Sequence, residues 1–69
     1  MPLVEVTLTQ GRTPQQVRQM ISNITAAIVD ATVAPKEAIR VIVREVPAAH
    51  FAAGDVTIAE RAGAPDPRT

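Results

Sequence analysis

The chain has no cysteine, tryptophan or tyrosine, and a single phenylalanine and a single histidine among its 69 residues. Without cysteine there is no thiol chemistry, no disulfide staple and no thiolate metal site, a composition that suits a reducing compartment. One histidine with no other soft ligand argues against a metal centre. One aromatic ring, Phe51, offers no platform on which bases stack. Seven Lys and Arg against seven Asp and Glu leave no net field to steer nucleic acid or an anionic membrane toward the chain. The apolar runs fall well short of the roughly 18 residues of a spanning helix, and no basic segment followed by an apolar stretch marks the N-terminus. The expectation is a soluble, cytoplasmic protein with neither a nucleic-acid nor a membrane partner.

What is present is aliphatic. Hydrophobic residues make up 46% of the chain, and they are mostly Ala, Val and Ile. A chain of this length forms one domain at most and buries only about 60% of the surface its unfolded form exposes. One helix cannot cover both faces of a sheet, so the apolar surface is expected to be covered by further copies of the chain.

Residues 3 to 9 alternate with period two. Val4, Val6 and Leu8 fall on one side and Leu3, Glu5, Thr7 and Thr9 on the other, the pattern of a half-buried strand. Gln10-Gly11-Arg12 turns the chain. Thr13, Pro14 and Gln16 then supply an N-cap, a proline at the first helical position and a capping-box acceptor. Val17, Met20, Ile21, Ile24, Ile28 and Ala31 form the apolar stripe of that helix. It ends over Thr32-Val33-Ala34-Pro35, because the residue before a proline leaves the helical region. Lys36 to Ala38 connect to a second strand, Ile39 to Val46, which Pro47 stops. Strand, helix, strand with a long crossover predicts a parallel pair in a β-α-β unit. Ala52-Ala53-Gly54-Asp55 reads as a turn, Val56 to Ala59 as a short edge strand or arm, and 62–69 as a frayed tail. The fold class is therefore α/β (α+β), with a domain over 1–61.

Pro2 is the residue around which a chemistry can be organised. Proline is tolerated at the start of a strand for structural reasons alone. Once Met1 is removed, however, it becomes a rigid secondary amine held by the strand that follows. Arg12 lies on the turn before the helix start, a place that suits an anion, or is simply a solvated loop charge. Arg40 interrupts an apolar strand expected to be buried. A buried guanidinium there needs a ligand carboxylate, or an ion pair with Glu5 or Glu45 across a subunit interface. Two such cations would hold a dicarboxylate and disfavour protonation of the amine. Phe51 is placed to wall a pocket or to anchor the C-terminal arm. His50 ranks below Pro2 as an acid or base, since no nearby carboxylate in sequence orients it and its segment is expected to be exposed.

Taken together, Pro2, Gly11-Arg12, the capped helix, Ala34-Pro35, the strand bearing Arg40, and Glu45-Val46-Pro47 followed by His50-Phe51 resemble the 4-oxalocrotonate tautomerase family. The resemblance runs from Pro2 to about Arg61. It implies that Pro2, freed of Met1, is the general base that moves a proton from a dienol hydroxyl to a carbon of the same substrate. Arg12 would bind the distal carboxylate and draw electron density toward it. Arg40, reaching in from a neighbouring subunit, would bind the carboxylate and oxygen at the reacting end, and Phe51 would supply the apolar wall that helps keep the proline amine neutral. The implied reaction is ketonisation of 2-hydroxymuconate, a related 2-hydroxydienoate or an enol of a 2-oxo acid, with no cofactor and no metal. The implied assembly is a homo-oligomer, in which dimers combine into a hexamer.

Two features depart from the family pattern. Asp55 stands where the family hairpin carries the second glycine of a pair, which is expected to alter the turn. The prolines flanking Asp66 extend beyond the usual end. Among the related hydratases and dehalogenases of the superfamily, the trans-specific dehalogenases place a glutamate two positions after the phenylalanine and an extra arginine before the first turn, where this chain has Ala53 and Thr9. Dehalogenation is therefore not expected as the main activity. The alternative from another class is a non-catalytic subunit that keeps the fold inside a hetero-oligomer.

Overall fold

The computed structural model describes residues 2–63. Strand β1 (Leu3–Thr9) leads into helix α1 (Pro14–Asp30), and a single 3-10 turn at Lys36–Ala38 leads into strand β2 (Arg40–Val46). The two strands pair in parallel from Leu3 opposite Arg40 to Thr9 opposite Val46. The ladder is extended at both ends. The Arg40 N–H donates to the Pro2 carbonyl at 3.0 Å, and the Gln10 N–H donates to the Val46 carbonyl at 2.9 Å. This is the β-α-β unit expected from the sequence.

Helix α1 starts where its cap requires. Thr13 Oγ1 accepts from the Gln16 N–H at 3.1 Å, and Gln16 Oε1 accepts from the Thr13 N–H at 2.9 Å. Two otherwise orphaned donors are thus satisfied reciprocally. The other end closes differently. The Thr32 N–H reaches the Val29 carbonyl at 2.9 Å and the Val33 N–H reaches the Ile28 carbonyl at 3.4 Å, the double bond of a Schellman closure. That closure needs a left-handed residue, and Thr32 occupies it at φ 56°. A β-branched side chain there is strained.

Beyond β2, a second 3-10 turn at Ala48–His50 precedes a minimal hairpin of β3 (Ala52–Ala53) and β4 (Val56–Thr57). Its two central residues, Gly54 and Asp55, have φ of 59° and 66°. Both angles have the sign that a two-residue hairpin turn of type I′ requires. Asp55 thus adopts the left-handed conformation itself, and the turn survives the loss of a second glycine. The expected edge strand over 56–59 is corrected: only Val56 and Thr57 pair, and helix α2 (Ile58–Gly63) follows at once. Its start is a second capping box. Thr57 Oγ1 accepts from the Glu60 N–H at 3.1 Å, and Glu60 Oε1 accepts from the Thr57 N–H at 3.0 Å. Helix α2 runs through Gly63. The rest of the expected tail, 64–69, and Met1 lie outside the described residues.

Alternation along the strands divides the sheet into two unlike faces. Val4, Val6, Leu8, Val41 and Val43 are half-buried on the side that α1 covers, with Val17, Met20, Ile21, Ile24 and Ile28 half-buried on the helix. The opposite face carries Leu3, Glu5, Thr7, Arg40, Ile42 and Arg44, all exposed. Leu3 is 53% exposed and Ile42 42%. Glu5 and Arg44 pair across this face at 3.2 Å, in a solvated contact that contributes at most about 1 kcal/mol. No described residue of either kind, apolar or polar, is fully buried. The radius of gyration is 15.6 Å, against about 11 Å for a compact chain of this length. A single copy has one covered face and no interior.

Candidate active site

The residues expected to carry chemistry fall at the two ends of the sheet. At the end where both strands begin, Pro2 is half-buried and is tied to β2 through its carbonyl, which accepts from the Arg40 N–H. The parallel register places Arg40 opposite Leu3, so the arginine follows the terminal proline across a single ladder step. The Arg40 side chain lies exposed on the face without a helix, and its Nη1 donates to the Glu37 carbonyl at 3.2 Å. The expectation that Arg40 is buried does not hold in a single chain, because the strand face that carries it is open. Nor does Glu5 reach it, since that carboxylate is engaged by Arg44.

At the end where both strands finish, the turn through Gly11, at φ 128°, folds Arg12 back toward the strand it has just left. Arg12 Nη1 donates to the Thr9 carbonyl at 2.8 Å and to Thr9 Oγ1 at 3.0 Å. An open groove beside it is lined by Arg12, Pro14, Val17, Arg18, Ile21 and Glu45. Phe51 follows β2 beyond this same end. It is half-buried, and its carbonyl accepts from the Ile58 N–H at 2.9 Å, which ties it to the start of α2. His50 is exposed on the 3-10 turn.

The backbones of Pro2 and Arg40 are thus paired at one end of the sheet, with the Arg40 guanidinium on the Glu37 carbonyl, while Arg12 and Phe51 follow the other end. The seven residues of β1 separate Pro2 from the Arg12 turn by roughly 20 Å at the usual strand rise. An arginine side chain does not span that distance. A site that uses all four residues has to draw them from more than one copy of the chain.

Two contributors were not foreseen from the sequence. In the sequence Thr9 is a residue of the polar strand face, at the position where the trans-specific dehalogenases carry an arginine; in the structure its hydroxyl and carbonyl both hold Arg12. Helix α2 went unread, although Thr57-Ile58-Ala59-Glu60 carries the same cap spacing as Thr13 to Gln16. Arg61 on α2 reaches back to the Ala53 carbonyl at 3.3 Å, bracing the hairpin that follows Phe51.

Comparison with known proteins places this arrangement. Solved structures with the same small β-α-β fold and C-terminal hairpin are 4-oxalocrotonate tautomerase homologues. TomN, a homologue in the tomaymycin biosynthetic pathway, is 42% identical with a TM-score of 0.89, over 94% of this chain and 100% of its own. A heterohexameric 4-oxalocrotonate tautomerase from Chloroflexus aurantiacus is 32% identical with a TM-score of 0.82, over 87% and 97%. Among curated sequences, a probable tautomerase of Ralstonia nicotianae is 46% identical over 81% of this chain and 80% of its own length. The family profile described as tautomerase enzyme matches residues 2–68. The chain belongs to the tautomerase family.

Proposed function

We propose that the chain is a cofactor-independent tautomerase that ketonises 2-hydroxymuconate, a related 2-hydroxydienoate or an enol of a 2-oxo acid. Pro2, with Met1 removed, takes the proton of the enol hydroxyl on its nitrogen and returns it to a carbon of the conjugated chain. No net atom is gained or lost. Arg40 binds the carboxylate and developing oxo group at the reacting end, Arg12 binds the distal carboxylate, and Phe51 keeps water from the amine. Nearby cationic charge and partial burial both disfavour the protonated amine, which a base at neutral pH requires. The assembly proposed is a hexamer of this chain, built from dimers, so that Arg12 and Phe51 of one copy complete the Pro2 site of another.

The observation that carries this reading is the ladder bond between Pro2 and Arg40, which puts an arginine-bearing strand residue at the same end of the sheet as the residue that can present a secondary amine. The test follows ketonisation of 2-hydroxymuconate by ultraviolet absorbance, with protein whose mass shows that Met1 is gone. The expected kcat/KM is about 10⁴ M⁻¹s⁻¹ or higher. Pro2→Ala, which substitutes a primary amine, is expected to lower kcat/KM by roughly 10²-fold or more while sedimentation shows the same oligomer. Activity that survives this substitution would remove Pro2 from the mechanism.

A second reading is an accessory subunit of a hetero-oligomer. The heterohexameric relative from Chloroflexus aurantiacus favours it, because that assembly is built from more than one kind of chain. Fully processed protein that assembles alone yet gives no rate above buffer would select this reading.

A further inference from the structure

We infer that Thr9 is a positioning residue for Arg12, and that it sets the preference for substrates with two carboxylates over those with one. The inference deepens the tautomerase reading and rests on it for the identity of the bound carboxylate.

A guanidinium is planar and offers its five N–H donors in a fixed fork. Both hydrogen bonds of Arg12 leave from Nη1, one to the Thr9 carbonyl at 2.8 Å and one to the Thr9 hydroxyl at 3.0 Å. The remaining edge, Nε and Nη2, has no hydrogen-bond partner among the described residues. That edge carries two roughly parallel donors, the geometry with which arginine takes a carboxylate bidentately. Anchoring one nitrogen therefore aims the other two.

The backbone explains why Thr9 can act in this way. The Gln10 N–H is bonded to the Val46 carbonyl at 2.9 Å, so the strand end is pinned. Gly11, at φ 128°, then reverses the chain over the residue just passed. Thr9 is half-buried, and its hydroxyl accepts from Arg12 Nη1 in a solvent-exposed contact. A carbonyl alone would leave the guanidinium free to rotate about a single contact. The second acceptor on the same nitrogen defines the plane. An apolar residue at this position would keep the strand and lose the second acceptor.

The test pairs Thr9→Val, which keeps the shape and removes the hydroxyl, with Thr9→Ser, which restores it. Substrates are 2-hydroxymuconate and its monocarboxylate counterpart 2-hydroxypenta-2,4-dienoate. Thr9→Val is expected to raise KM for the dicarboxylate about tenfold, from loss of a hydrogen bond to a charged group, with a much smaller change in kcat. The monocarboxylate, which has nothing for the distal fork to hold, is expected to respond far less, and Thr9→Ser to restore the wild-type ratio. In an Arg12→Ala background the Thr9→Val effect is expected to vanish. Equal losses on the two substrates, or an effect that persists without Arg12, would overturn the inference. Muconate, which has no enol to ketonise, supplies a readout independent of turnover. Calorimetric affinity weakened by Thr9→Val and recovered by Thr9→Ser supports the positioning role even where catalysis is absent. Muconate affinity that Thr9→Val leaves unchanged, or wild-type protein that binds no muconate, overturns it, whereas loss of the tautomerase reading shows as absence of turnover with both acids.

Discussion

Arg12 and Arg40 stand at opposite ends of the same two strands and are held by the same local device, Nη1 donating to the carbonyl three residues earlier. At Arg12 that contact is 2.8 Å and a hydroxyl is added at 3.0 Å; at Arg40 it is 3.2 Å and stands alone. The turns behind them differ in the same sense. The Arg12 turn uses a glycine for its positive φ, whereas the closure that leads toward Arg40 forces Thr32 into a conformation that a β-branched residue resists. One end is preorganised within the chain. The other is held loosely and carries strain, so its final geometry is expected to be set by a neighbouring copy.

The largest expected effect comes from removing the two cations separately. Arg12→Ala is expected to act mainly on KM for a dicarboxylate, by roughly 10-fold or more, since it removes binding shared by ground and transition states. Arg40→Ala is expected to lower kcat as well, by about 10- to 100-fold, because charge develops at the oxygen it serves. Steady-state kinetics on both variants would break the comparison if the two gave the same split. Next comes Gly11→Ala. Space is open around that position, yet an L-residue at φ 128° is strained, so a loss of about 1–3 kcal/mol in denaturant unfolding is expected. Thr32→Gly should move the other way and stabilise the protein by roughly 1 kcal/mol, because the left-handed closure then costs nothing sterically.

The smallest effect concerns the arm beyond the Arg12 end. Hydrogen bonds from the Thr57 backbone and side chain hold the Glu60 carboxyl below its ordinary value of 4.5, outweighing a slight opposing desolvation. A depressed carboxylate stabilises the fold above the unfolded value and loses that contribution as pH falls through the folded one. Amide exchange in α2 is therefore expected to speed up below pH 4.5, relative to the β-α-β unit, and Glu60→Gln to remove the dependence.

The start of α1 was legible because three residues, Thr13, Pro14 and Gln16, each point to the same boundary by a different mechanism. The strands were legible because alternation is strict. Helix α2 was not, because Val56, Thr57 and Ile58 are all β-branched, a composition that favours a strand, and the cap at Thr57 wins only after two paired residues. The exposure of Arg40 in a single copy was not legible for a different reason. Alternation says which side chains share a face and nothing about whether that face meets solvent, a helix or another copy. The contact between Thr9 and Arg12 had no signal in the strand pattern, since it depends on where the Gly11 turn returns the chain.

A chain in which no described residue is fully buried acquires an interior only by meeting another surface. Its folding is then a reaction of second or higher order, and the midpoint of thermal unfolding is expected to climb with protein concentration. Under the proposed self-assembly, expression level is expected to control activity more steeply than in simple proportion. At low concentration more of the chains are then expected to be open to proteolysis than at high concentration.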